Sequence, residues 1–302
     1  MTARAKGVVA IVASAFGFAL MAAFVRLADD FGAPISSFQK SFFRNVVALA
    51  IALCVFFRRE RARTRLSGRA LSLLALRSAL GTCGIFANFY ALGLVPIADG
   101  QTLNKTAPFF TVAFAWLFLG EKASARQVGA LALAFAGVVF VVKPGFAGAA
   151  AFPLAMGLLG GVCAGGAYAC VRALRRHEVD PAFIVVFFSA FSCLASLPFM
   201  AARFDPMTWR QVATLLGAGA GAAIGQFGVT AAYGYAAPRD IAVYDYSNIV
   251  FTAALGFLLF GQVPDLWSVL GFVLVAAAAF RLSRASKVSP DLAATSAKSE
   301  RP

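Results

Sequence analysis

Apolar residues run along this chain in long stretches, separated by short polar connections. A helix rises 1.5 Å per residue, so about 20 apolar residues cross the roughly 30 Å hydrocarbon core of a bilayer. The stretches predict an all-α membrane protein with ten transmembrane helices. The expected spans are 7–28, 36–57, 70–92, 97–119, 127–145, 153–173, 182–202, 211–234, 241–261 and 265–282.

Composition supports lipid exposure and argues against other classes. Apolar residues make up 61% of the 302 positions and charged residues 13%, too few charges to cover a water-facing surface. A net charge of +14 would suggest nucleic acid in a soluble protein, but no basic and aromatic platform stands outside the spans. The five cysteines lack the spacing of metal ligands. We therefore expect no nucleic acid, metal or cofactor, and the lipid bilayer as a partner.

Basic residues alternate between loops and predict the orientation. Positively charged loops stay on the cytoplasmic side of a membrane. The richer set of loops contains Arg4, Lys6, Arg58, Arg59, Arg61, Arg63, Arg65, Arg69, Lys122, Arg126, Arg172, Arg175, Arg176, Arg239, Arg281, Arg284 and Lys287. The alternate set contains little beyond Arg26, Lys143, Arg203 and Arg210. Both termini are thus predicted to be cytoplasmic, with residues 285–302 as a disordered cytoplasmic tail.

The chain repeats itself after 141 residues, a shift that places Gly120 on Gly261 and Asp99 on Asp240. Repetition at this scale indicates a duplicated folding unit. The predicted units are 1–148 and 149–284, each with five spans. Because five is odd, the second unit enters the membrane from the opposite face. Such inverted repeats are typical of secondary transporters, with the substrate site near the membrane midplane.

The segment YALGLVPIADGQTLNKTAPFFTVAFAWLFLGEK, beginning at Tyr90, resembles the EamA-type repeat of the drug/metabolite transporter superfamily. Its marks are a proline within the helix at Pro108 and the helix end at Glu121, followed by the glycine of the next helix at Gly129. AYGYAAPRDIAVYDYSNIVFTAALGFLLFGQ resembles the matching second repeat, with Gln262 where glutamate is usual. The resemblance implies a ten-helix basket in a bacterial inner membrane that moves metabolites by alternating access. Family members handle amino acids, nucleosides, cofactors, sugars and toxic compounds.

Five charged residues fall inside the expected spans: Lys40, Arg44, Arg77, Lys105 and Asp245. Charges at this depth are costly and usually paired or functional. The four cations exceed the one anion, which favours a substrate with a carboxylate or a phosphate. The alternative is structural: arginines near span ends bond backbone carbonyls or extend toward water.

Lys105 is too deep in its span to reach water, and the repeat places its neighbour Asn104 on Asp245. We hypothesise an ion pair between Lys105 and Asp245 that substrate or a proton breaks during transport; the alternatives are a permanent structural bridge and no contact at all. Pro108 cannot donate a backbone hydrogen bond to Asn104, which leaves a free carbonyl beside Lys105. A kink made only for packing stays open.

Other polar residues near these positions complete the predicted substrate site. They are Gln101, Asn88, Tyr90, Tyr244, Tyr246 and Asn248. The tyrosines could instead be anchors at the membrane interface. The sequence therefore predicts a secondary transporter of a small polar metabolite, amino-acid-like or bearing a carboxylate or phosphate, by export or exchange, as a monomer or a homodimer. A channel or helper subunit is the alternative, and an intramembrane enzyme is less favoured because its motifs are missing.

Overall fold

The computed structural model describes residues 1–33, 35–58, 67–92, 94, 103–143 and 151–299. Within these ranges the chain is all-helical and contains no β-strand. We number ten helices: α1 Ala3–Asp29, α2 Ser37–Arg58, α3 Gly68–Leu92, α4 Ala107–Leu119, α5 Ala125–Val142, α6 Ala151–Arg176, α7 Pro181–Ala202, α8 Trp209–Tyr235, α9 Ser247–Phe260 and α10 Leu266–Ser299. A one-turn helix, Pro238–Ile241, and a 3-10 turn, Ala242–Tyr246, precede α9.

Eight segments of the described chain are long and apolar enough to cross a membrane, when Pro238–Phe260 is taken as one segment. Two shorter apolar helices, Ala107–Leu119 and Leu266–Leu282, accompany them. The chain is thus a multi-pass membrane protein. The count of ten spans stays a prediction, because residues 97–102 of the expected fourth span lie outside the described ranges. Disorder in the tail also stays a prediction.

The expected fourth and ninth spans are both interrupted. Lys105 and Thr106 form a turn between residues 103–104 and the start of α4. Pro108 lies in the first turn of α4, not in the middle of a helix as the sequence suggested. This position is favourable for proline because a first-turn N–H has no partner inside the helix. In the second half, the 3-10 turn with Asp245 occupies the corresponding place.

Both of these helices end in the same way. Gly120 closes α4 with φ 68° and Gly261 closes α9 with φ 64°, a left-handed conformation that only glycine adopts readily. The next backbone N–H folds back in each case: Glu121 N donates to Ala115 O, and Gln262 N donates to Gly256 O, both at 3.2 Å. The glycines that the repeat aligns therefore have one common structural role.

The helices of residues 1–143 pack mainly against helices of residues 151–299. The most extensive contacts pair α1 with α8, α3 with α6, α5 with α10 and α2 with α7. Small residues permit the approach: a Cβ on Gly137 would lie 2.6 Å from Gly271 O, and one on Gly271 would lie 2.5 Å from Gly137 O. Packing of this kind is typical of membrane helices, whose association depends on close van der Waals contact.

Candidate functional site

Lys105, at the break before α4, lies at the centre of a hydrogen-bonded group that joins three segments. Its Nζ donates to Asn248 Oδ1 at 2.5 Å, and Asn248 Nδ2 donates to Ala15 O of α1 at 2.8 Å. Tyr246 Oη donates to the backbone carbonyl of Lys105 at 3.1 Å. Asn248 is 8% exposed. The group therefore ties the two halves of the chain together inside the bundle.

The helix break explains why the Lys105 carbonyl is available to a side chain. In a continuous helix it would accept from the backbone N–H of Phe109 four residues on. Here Phe109 N donates to Thr106 O at 3.0 Å. The carbonyl of Lys105 is left to Tyr246 Oη. The sequence predicted a kink at Pro108 with a free Asn104 carbonyl, whereas the structure has a turn at Lys105 and Thr106 and the Lys105 carbonyl accepts from Tyr246.

Asp245 lies in the 3-10 turn one residue before the buried Tyr246, and it is only partly buried. The ion pairs among the described residues do not include Lys105 with Asp245, so the hypothesised pair is not formed in this structure. The lysine ammonium is instead satisfied by Asn248, whose amide is itself fixed by α1. The two charges still interact electrostatically.

A second polar group surrounds Arg77 of α3, which is 1% exposed. Its Nη2 donates to Gln226 Oε1 of α8 at 2.7 Å, and its guanidinium lies 3.5 Å from the centre of the Phe188 ring of α7. Its Nε and Nη1 are buried and have no hydrogen-bond partner among the described residues, and the same holds for Nε of Arg44 in α2. Arg44 is 7% exposed. Neither arginine forms an ion pair in the described chain.

Tyr168 of α6 lies within electrostatic range of both groups, because Arg44, Arg77 and Asp245 all act on its hydroxyl. Its ring lies 5.8 Å from that of Tyr233 in α8. Sequence reasoning missed Tyr168, although a single tyrosine in the glycine- and alanine-rich sixth span was a usable signal.

Three predicted site residues lie away from both groups. Lys40 Nζ lies 2.5 Å from Asp29 Oδ1, which pairs its charge near the ends of α1 and α2. Tyr90 is 48% exposed and packs edge-on against Phe152 at 5.9 Å between ring centres. Tyr244 Oη donates to a backbone carbonyl of α10 at 3.2 Å. Each therefore has a structural contact in this conformation.

The remaining predicted residues are distributed as follows. Asn104 precedes the break and is partly buried. Asn88 of α3 has a buried Oδ1 without a hydrogen-bond partner among the described residues. Gln101 lies outside the described residues. Over the described chain no three His, Cys, Asp or Glu side chains gather as metal ligands would.

Glu121 anchors an ionic cluster where α4 ends. The carboxylate is 4% exposed and accepts from Arg172 Nε at 2.9 Å and from Arg176 Nη2. Arg172 also donates to the Tyr233 carbonyl of α8 at 3.0 Å. The cluster joins α4, α6 and α8 next to the tyrosines of the site. Sequence analysis treated Glu121 only as a mark of the helix end.

An exposed ion pair joins the end of α5 to the start of α10. Lys143 pairs with Asp265, and both side chains are well exposed. The hydrogen bonds from Lys143 and Ser268 lower the pKa of Asp265 to about 2. Because water screens exposed pairs, this contact contributes far less to stability than the buried Glu121 cluster.

With this architecture established, comparison with known proteins places the chain in a family. The model of the EamA-like transporter family matches residues 5–143 and 151–284. The chain belongs to this family, whose relatives are transporters and not enzymes. Membership of this family implies a small-molecule substrate and a location in a lipid bilayer.

Individual relatives extend over most of the chain. The pseudopaline exporter CntI of Pseudomonas aeruginosa (strain UCBPP-PA14) is 32% identical over 285 residues, which cover 93% of this chain and 97% of that protein. A riboflavin transporter of Rhizobium johnstonii is 28% identical over 69% of this chain and 68% of its own length. A crystal structure of another protein superposes with a TM-score of 0.75 at 18% identity, covering 91% of this chain and 97% of the other, and shows a similar fold.

Proposed function

We propose that this protein is a secondary transporter that exports or exchanges a small polar metabolite bearing a carboxylate or phosphate. The observation that carries the proposal is the Lys105 group. A lysine, an amide and a nearby carboxylate, Asp245, lie together inside the bundle, at interruptions of two helices. Interrupted helices at midplane are where many transporters bind their ligands. An amino-acid-like zwitterion would use both charges.

The two helix interruptions and their surroundings support an inverted repeat of two five-helix halves, 1–148 and 149–284. α1 packs on α8 as α3 packs on α6, the arrangement expected when a twofold axis exchanges the halves. The matching left-handed glycines at 120 and 261 add to this. Rocking of one half against the other would expose the centre to each side in turn.

We further propose a bacterial inner membrane location with both termini in the cytoplasm. Bacterial transporters among the relatives support the location. The concentration of Lys and Arg in alternate loops supports the orientation. On this assignment the Glu121 cluster lies toward the cytoplasm, and the Lys143–Asp265 pair lies on the outer side.

The direction and the substrate class rest on two different arguments. The similarity to a pseudopaline exporter over nearly the whole chain favours export. The excess of buried positive charge favours an anionic or zwitterionic cargo, because a buried cation without a counter-ion is costly. All twelve predicted residues stay candidates for substrate contact, and those that the structure describes as buried are Arg44, Arg77, Tyr246 and Asn248.

A channel or helper subunit is the competing function, and saturation separates it from a carrier. Purified protein would be reconstituted into liposomes loaded with one labelled compound at a time from amino acids, nucleotides, cofactors and sugar phosphates. A carrier gives efflux that saturates with concentration and accelerates when unlabelled compound is present outside. Flux that rises linearly with concentration, without such exchange, would contradict the carrier proposal.

A further inference from the structure

Several buried polar atoms that have no partner among the described residues belong to three neighbouring helices of the bundle. Among the described residues, the hydroxyls of Ser41, Ser78, Thr82 and Ser189 are buried and unsatisfied, as are Arg44 Nε and Arg77 Nε and Nη1. All of these lie on α2, α3 and α7. Buried polar groups in proteins nearly always have partners, and in a membrane each unsatisfied group is costly. So many unused donors in one place indicate a missing acceptor.

The three helices meet at this level, which brings the unused donors toward one another. Asn45 Nδ2 of α2 donates to Ser192 Oγ of α7 at 2.8 Å. Arg77 of α3 lies over Phe188 of α7. Ser41 precedes Arg44 by three residues, and Ser78 and Thr82 are four apart, so each pair shares a helix face. We call Arg44, Arg77, Ser78, Thr82 and Ser189 the arginine pocket.

The guanidinium of Arg77 is held in a fixed place. Gln226 accepts from its Nη2, and the Phe188 ring covers its face. Gly81 leaves the space for this arrangement: a Cβ there would lie 2.7 Å from Phe188 and 3.2 Å from Arg77 Nη1. A rigid guanidinium with free N–H groups matches a carboxylate or phosphate, which accepts several hydrogen bonds at once.

Water could satisfy the hydroxyls, but it would leave the charges unbalanced. Arg44 and Arg77 form no ion pair with a described residue, and Lys105 has one described carboxylate nearby, that of Asp245. The surplus is two positive charges. A bound molecule with two negative charges would balance it.

We propose that the arginine pocket is an oxyanion subsite, separate from the Lys105 centre, and that the transported molecule carries at least two separated anionic groups. One carboxylate or phosphate binds Arg44 and Arg77. A second anionic group binds Lys105, and Asp245 receives a cationic amine where the molecule has one. Tyr168 lies within electrostatic range of both subsites. This proposal rests on the proposed transport function and specifies its substrate.

The test measures sulfate binding to the purified full-length protein by thermal unfolding, with sodium chloride at equal ionic strength as the reference. Sulfate is a doubly charged oxyanion and also a general stabiliser of folded proteins, so only a saturable rise in melting temperature counts as binding. We expect a saturable rise in the wild type. Arg44→Gln and Arg77→Gln should weaken the apparent affinity at least about tenfold, the loss expected for a charge-assisted hydrogen bond.

Two further variants keep the result interpretable. Lys105→Met removes a cation of the other subsite and should keep the saturable rise. Arg77→Lys keeps the charge in case Arg77→Gln does not fold, and it should bind sulfate more weakly than the wild type because it lacks the planar fork. Equilibrium dialysis with radiolabelled sulfate measures binding directly and should give the same order of affinities among the wild type and the variants.

The proposal is overturned if the wild type shows no saturable sulfate effect, or if the effect is the same in Arg44→Gln and Arg77→Gln. It is also overturned if Lys105→Met loses the effect as completely as they do, since the subsites would then be one. These outcomes are independent of the flux assay. If flux is saturable but the sulfate response is unchanged in Arg44→Gln and Arg77→Gln, the transport proposal stands and the oxyanion subsite is contradicted.

Discussion

Lys105 Nζ lies 2.5 Å from Asn248 Oδ1, and this hydrogen bond joins the break before α4 to the first turn of α9. The acceptor is fixed from behind, because Asn248 Nδ2 donates to Ala15 O of α1. This hydrogen bond orients the ammonium of Lys105, and the neutral amide acceptor does not neutralise its positive charge. On the proposed function, Lys105 keeps this bond and offers its other N–H groups to an anionic group of a substrate.

Removal of the Asn248 side chain should weaken substrate binding. Asn248→Ala leaves Lys105 without its acceptor and frees Ala15 O. We expect about a 10- to 100-fold loss of affinity, as for the loss of a hydrogen bond to a charged group. The measurement is ligand-induced thermal stabilisation with a compound that stabilises the wild type.

Ser247→Ala is the matched control for this variant, because the neighbouring hydroxyl has no hydrogen-bond partner among the described residues. It should bind like the wild type. Equal losses of affinity in Asn248→Ala and Ser247→Ala would mean that any change in the first turn of α9 disturbs binding, and would contradict a specific role of Asn248.

The buried carboxylate of Glu121 should matter far more for stability than the exposed carboxylate of Asp265. Glu121→Gln leaves two arginines without a buried carboxylate, and we expect unfolding to become easier by about 2 kcal/mol, a value reduced because Arg176 is partly exposed. Asp265→Asn breaks the exposed pair with Lys143 and should leave the melting temperature almost unchanged. Similar losses in both variants would contradict the special role of the buried cluster.

The contact between α5 and α10 gives a steric prediction. Gly137→Ala would place a Cβ 2.6 Å from Gly271 O and should destabilise the protein by about 1–3 kcal/mol. Gly129→Ala lies on the same helix with nothing within 4 Å and should be neutral or slightly stabilising. Thermal unfolding in detergent compares the two. A destabilising Gly129→Ala, or a silent Gly137→Ala, would contradict the helix packing described.

These glycines show where sequence reasoning succeeded and where it stopped. The resemblance singled out Gly129, yet the space around it is open, whereas Gly137 controls a helix contact. Hydropathy predicted the helices because lipid exposure imposes a simple pattern. It could not predict which small residues meet, because that depends on how the helices are arranged in space.

The candidate site was predicted in outline for a similar reason. Buried charges are so unfavourable in lipid that Lys105, Arg77 and Asp245 stand out in any apolar span. The pairing of these charges was not predicted, because hydrogen bonds such as Lys105 to Asn248 join residues 143 positions apart. Tyr168 was missed since a tyrosine in a span is ordinarily an interface anchor.

On the proposed function, a metabolite binds between the break before α4 and the start of α9. The most direct test is a thermal-stabilisation screen of purified wild type, Lys105→Met and Asp245→Asn with amino acids, nucleotides, cofactors and sugar phosphates. We predict a compound that stabilises the wild type and binds at least about tenfold more weakly to Lys105→Met, with a loss in Asp245→Asn if it carries an amine. A compound that stabilises all three proteins with equal affinity would contradict this placement of the site.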